Sequence, residues 1–275
     1  MKVLLIIVCN LAVICVGTMA FRLVVSRWMR RGATTGRLSL PGKVEAKPYD
    51  LIDLGVAGVL ISYLLLPLIA ATAQKTADKD FTAGNVNTAI AIALFSLLLG
   101  ICVFLFASLL RGRNPVSLFG LSRLSPIMIL LWAVASILVA YPLMSGGVYL
   151  LELVIGKEEQ LQEVVRTLIG TDNSTLKTVL AITAIIVAPL VEEIIFRGYL
   201  YPVIKRYSGC LFSAIMTSLL FAVVHGNLPA MMPLFILALI LTIAYELTGC
   251  LWVPIAAHSL FNAINVSYML NIQNG

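Results

Sequence analysis

Pro189-Leu190-Val191-Glu192-Glu193-Ile194-Ile195-Phe196-Arg197-Gly198-Tyr199 is the stretch around which the rest of the chain is read. It sets two adjacent carboxylates and an arginine inside a strongly apolar segment. An ionised carboxylate in hydrocarbon is costly unless it is paired or wetted, so Glu192 and Glu193 mark a candidate functional site.

Working outward, the 275 residues are 60% hydrophobic and 12% charged, with a mean hydropathy of +1.02. That balance excludes an ordinary water-soluble domain and predicts an all-α, polytopic integral membrane protein. The net charge of +6 sits in short loops between apolar runs. There it sets orientation and does not point to nucleic acid. Cys9, Cys15, Cys102, Cys210 and Cys250 are scattered through apolar segments without a C-x-x-C pair, so they read as small core residues.

Val3 to Ala20 is an apolar run of near-spanning length, with Arg22, Arg27, Arg30 and Arg31 behind it. Thr18-Met19-Ala20 resembles a signal cleavage site, but the basic cluster favours an uncleaved anchor with its N-terminus outside. A basic linker follows, from Arg31 to Pro48. Further spans are expected over Leu51–Thr72, Thr88–Leu110 and Pro126 to about Val148. Asp50 and Asp53 fall at the first turn of the second span, where capping is the expected role of Asp53. Leu151 to Ile169, with Glu152, Glu158, Glu159 and Glu163, alternates charged and apolar residues as a surface amphipathic helix does. Four more spans are expected: Leu176–Ile204, Leu211–His225, Pro229–Leu247 and Leu251 to about Leu270. The sum is about eight transmembrane helices, with residues 1–150 supplying topology and the site formed between helices of the C-terminal half.

In that half, polar residues recur at apolar depth with one spacing. Glu193 and Arg197, Phe221 and His225, and His258 and Asn262 are each i and i+4, which places each pair on one helix face. His225 and His258 are the two histidines of the chain. Glu193 and Arg197 read as an intrahelical ion pair. Glu192, about 100° around the helix, is left free to act.

Glu192, Glu193 and Arg197 form E-E-x-x-x-R, Phe221 and His225 form F-x-x-x-H, and His258 and Asn262 form H-x-x-x-N. With these three motifs in order, the chain resembles the CPBP family of intramembrane endopeptidases, which includes CAAX prenyl proteases and bacteriocin self-immunity proteins. The resemblance covers residues 176–266. It implies an eight-helix fold and hydrolysis of a peptide bond in a membrane-embedded or lipidated protein or peptide, without a covalent intermediate. In that reading Glu192 is general base on a water shared with His225. His258 and Asn262 stabilise the oxyanion, at about 3 to 4 kcal/mol per donor. A metal-assisted alternative stays open, with Glu192, His225 and His258 as a zinc set. The expected location is a bacterial plasma membrane, with lipid and the substrate as partners and no nucleic acid.

Depth imposes one further expectation. His225 lies about 22 Å along its segment and His258 about 10 Å along its own, so Gly226, Asn227 and Pro229 should break the sixth helix within the membrane. A noncatalytic immunity or membrane-peptide-binding protein is the alternative function. An ion or proton pathway is a weaker third reading, since it too would place carboxylates and histidines at depth.

Overall fold

The computed structural model describes residues 42–73, 85–155 and 163–273. The expected anchor at Val3–Ala20, with the question of its cleavage, and residues Glu158 and Glu159 lie outside the described residues.

Helices fill the described chain: α1 (Leu51–Ala73), α2 (Val86–Ala107), α3 (Pro126–Ile155), α4 (Glu163–Gly170), α5 (Ser174–Ser208), α6 (Cys210–Val223), α7 (Leu228–Thr248) and α8 (Trp252–Gln273). Four helical stretches are long and apolar enough to cross a membrane: Val86–Arg111, Pro126–Leu150, Ser174–Ser208 and Leu228–Thr248. Leu51–Leu66 and Cys210–Val223 are shorter apolar helices. The fold is therefore an all-α, polytopic membrane bundle. On α2, Leu94, Leu98, Ile101 and Leu105 face outward while Ala89, Gly100, Val103 and Ala107 are buried. Small residues turn inward so that backbones approach, as membrane helix packing requires. A Cβ on Gly100 would meet Val191 at 3.1 Å, so this glycine lets α2 close on the site-bearing part of α5.

Two boundaries differ from expectation. The fourth span's helix runs on to Ile155, and among the described residues the separate amphipathic helix covers Glu163–Gly170. The apolar run through Tyr149, Leu150 and Leu153 extends α3 without a break.

The first turn of α1 is a reciprocal cap. Asp50 Oδ1 accepts from the N–H groups of Ile52 and Asp53, and Asp53 Oδ2 accepts from the N–H of Asp50 at 2.9 Å. Asp53 is also fully buried against Arg113, which grips it with two bonds of 3.1 and 2.6 Å. Its burial is matched by charge, so the carboxylate is structural.

The helix α5 is not regular. The N–H of Ala188 bonds to Thr183 O and that of Tyr201 to Phe196 O, both reaching back five residues. The two π-helical segments, Thr183–Val187 and Ile194–Leu200, bracket Glu192 and Glu193. Such segments frequently mark functional sites.

Candidate active site

Each carboxylate of the pair has its own environment. Glu193 is fully buried, while the Glu192 side chain is 27% exposed. The 100° step between neighbours on a helix turns one inward and leaves the other at an opening. Arg197, 1% exposed, donates from Nη1 to Glu193 Oε1 at 2.7 Å, from Nη2 to Ala238 O at 2.8 Å and from Nε to Thr242 Oγ1 at 3.3 Å. The α7 backbone and one threonine thus complete a cradle for the guanidinium. A buried charge pair is tolerable only when its remaining donors are satisfied in this way.

His258, on α8, meets both carboxylates. Its Nδ1 is 2.9 Å from Glu193 Oε1 and its Nε2 is 3.8 Å from Glu192 Oε2. A carboxylate only accepts, so Glu193 fixes the Nδ1–H tautomer and presents Nε2 toward Glu192.

The break expected after α6 is present. The helix ends at Val223, Gly226 takes φ +61°, and Asn227 Oδ1 caps α7 through the N–H of Ala230 at 2.9 Å. His225 stands in this turn, and its Nδ1 donates to Phe221 O at 2.6 Å. Its Nε2 is left as the free nitrogen. The buried Phe221 ring packs against both histidines, its centroid 4.8 Å from that of His225 and 5.7 Å from that of His258. The Arg197 guanidinium lies 4.8 Å from the same centroid. His225 therefore has Phe221 for its neighbour, whereas the histidine within 4 Å of Glu192 is His258.

Asn262, one turn beyond His258, donates from Nδ2 to Ala184 O at 2.7 Å. The geometry of α5 explains this bond. Ala188 gives its N–H to Thr183, and the residue five on from Ala184 is Pro189, which has none. The Ala184 carbonyl is thereby left without a helical donor, and Asn262 supplies one. Pro202 repeats the device: it cannot donate to Gly198 O, and the Tyr49 hydroxyl does so at 3.0 Å. Proline in an apolar helix was the one sequence signal for these two contacts. Thr242, Ala238 and Tyr49 carried none.

Among the described residues, no three His, Cys, Asp or Glu side chains gather as a metal ion would require. Among the described residues, Glu192, His225 and His258 do not gather into such a set. The metalloprotease reading is accordingly unsupported. A cavity of about 460 Å³ lined by Glu45, Arg113, Asn114 and Arg123 opens at the basic end of the bundle, away from these residues.

Residues 174–264 match the family described as type II CAAX prenyl endopeptidase Rce1-like. The chain is 24% identical over 219 residues to the "Putative membrane peptidase YdiL" of Bacillus subtilis (strain 168), covering 77% of this chain and 88% of that protein. It is 35% identical over 134 residues to an "Uncharacterized 24.3 kDa protein" of Escherichia coli, covering 46% of this chain and 58% of that protein. No solved structure matches.

Proposed function

We propose that this chain, a member of the CPBP family of membrane endopeptidases, hydrolyses a peptide bond of a membrane-associated protein by activating a water between Glu192 and His258. The observation that carries the reading is the 3.8 Å separation of His258 Nε2 and Glu192 Oε2. That gap is too long for a hydrogen bond and is one that a bridging water closes.

Glu192 takes a proton from the water as it attacks the scissile carbonyl, and later delivers it to the leaving amine. His258 Nε2, bare in that tautomer, accepts a hydrogen of the water, steadied through Nδ1 by Glu193, which Arg197 in turn holds in place. The oxyanion requires donors. Asn262 has a second Nδ2 hydrogen beyond the one given to Ala184, and it serves as an oxyanion donor. The substrate in this reading is a membrane-embedded or lipidated protein or peptide, which the description of the matched family as a CAAX prenyl endopeptidase supports, and the setting is a bacterial plasma membrane.

The test is cleavage of a fluorescence-quenched peptide carrying a farnesylated Cys-aliphatic-aliphatic-X terminus, in proteoliposomes. Glu192→Gln should abolish cleavage with thermal unfolding unchanged. Full activity in that variant rejects the assignment, and protection of cells by a cleavage-dead variant would favour a noncatalytic immunity role.

A further inference from the structure

The polar face of α8 does not stop at the residues placed in the chemistry. Asn265 follows His258 at i+7, two helical turns further on, within about 20° of the same direction and about 10 Å along the axis. Its Oδ1 accepts from the Tyr141 hydroxyl on α3 at 3.3 Å.

The packing of α8 places this residue on a seam. Ala257, Leu260 and Phe261 pack with Ile137, Ala140 and Met144 of α3 and with Leu237 and Leu241 of α7. Val266 and Leu270 pack with Leu176 and Leu180 of α5, and His258 and Asn262 face Glu193 and Ala184 of the same helix. At 100° per residue, His258 and Asn265 lie between the face turned to α3 and the face turned to α5. Glu192, the partly exposed carboxylate, stands beside His258 at one end of this line.

Tyr141 and Asn265 are both part-buried. With Oδ1 held by the tyrosine, the amide turns its two N–H donors the other way, and among the described residues these have no partner. Donors on a part-buried helix face that no described residue takes are open to a ligand's acceptor. A polypeptide lying extended along the seam advances about 3.3 Å per residue, so about 10 Å spans three residues.

We propose that Asn265, oriented by Tyr141, is a substrate-binding residue that donates to the backbone carbonyl three residues from the scissile bond. Tyr141 and Asn265 both lie outside residues 174–264, the part that matches the family. This contact rests on the active-site reading above.

The farnesylated peptide serves as probe, together with a series in which single backbone amides are replaced by esters, which weakens one carbonyl acceptor at a time. Asn265→Leu should raise KM about three- to tenfold, the effect of one neutral hydrogen bond, with kcat changed less than about twofold. Tyr141→Phe, a smaller perturbation of the fold, should raise KM in the same direction. One ester, three residues from the cleaved bond, should raise KM in the wild type and not in Asn265→Leu, the non-additivity of a shared contact. Unchanged KM in both variants, or equal ester penalties in wild type and Asn265→Leu, overturns the proposal and leaves Tyr141–Asn265 as helix-to-helix glue. Cleavage that persists in Glu192→Gln overturns instead the reading on which it rests.

Discussion

His258 and Glu193 are joined by a 2.9 Å contact between Nδ1 and Oε1, and the same oxygen takes the 2.7 Å bond from Arg197. One carboxylate oxygen thus holds both a guanidinium and an imidazole, while Oε2 has no hydrogen-bond partner. Glu193 cannot move without releasing both. The orientation of His258 toward Glu192 is therefore fixed from behind, and in the function proposed here the two adjacent glutamates divide positioning from chemistry.

This division predicts opposite signatures for the two residues. Glu192→Gln should lower kcat by about 10² to 10⁴, the range of general acid–base catalysis, with little change in stability. Glu193→Ala strands a buried Arg197 and should cost about 3 to 5 kcal/mol in chemical unfolding in detergent. Equal stability of the two variants would refute the assignment.

Asn262 is expected to act on stability as well as turnover. Asn262→Leu leaves the part-buried Ala184 O without this donor, at a cost of about 1 kcal/mol. Asn262→Asp cannot donate in its ionised form, so its melting temperature should fall above the carboxyl pKa and recover toward low pH. A pH-independent melting temperature in Asn262→Asp would show that the carbonyl finds another donor.

The sequence makes the site's members visible and its pairings much less so. The i, i+4 spacing of charged and polar residues in apolar segments identifies which helix faces turn inward, because depth makes each such residue costly. It does not say which inward faces abut. His225 and His258 are equivalent on spacing alone, and what tells them apart is the approach of α8 to α5, which sets His258 Nδ1 2.9 Å from Glu193 Oε1. Asp53 is legible as a helix-start acid, but its Arg113 partner is 60 residues away. The Tyr49 bond to Gly198 spans 149 residues. Such contacts depend on tertiary approach and leave no local period. The π-helical segments of α5 are an intermediate case: Pro189 announces that a backbone donor is missing, while the bulge that follows depends on packing against α2 and α8.

A pH dependence follows at the linker before α1. Burial, and then the neighbouring Arg123 charge, push the Lys43 ammonium down from 10.5 to about 8. Below pH 8 the lysine is charged in both states and the folded state carries the full penalty. Between pH 8 and 10.5 the folded chain sheds the proton that the unfolded chain keeps, so stability rises with pH across that window. Lys43→Met should therefore raise the melting temperature relative to wild type near pH 7, with the difference shrinking as pH climbs from 8 to 10.5. A difference that is flat across the window would contradict the origin given to the shift.

The same linker is tied to the bundle through Glu246. Its Oε1 accepts from Lys205 Nζ and its Oε2 from the Tyr201 hydroxyl at 2.7 Å. Its backbone oxygen accepts from the N–H of Lys43 at 2.9 Å, and Lys205 also donates to Val44 O at 2.9 Å. Gly42 lies against this cluster so closely that a Cβ would fall 1.1 Å from Glu246 Oε1 and 2.2 Å from its Cδ. The glycine is required by proximity and not by backbone conformation. Gly42→Ala must push the Glu246 carboxylate off Lys205 or lift the linker, and either outcome weakens the bonds holding residues 42–49. Local opening should become easier by at least about 1.4 kcal/mol, read as a roughly tenfold faster tryptic cleavage after Lys43. The melting temperature of the helical bundle should move far less, because α5, α7 and α8 retain their mutual packing. Cleavage at the wild-type rate in Gly42→Ala would show that the linker is held by Tyr49 and Arg113 alone.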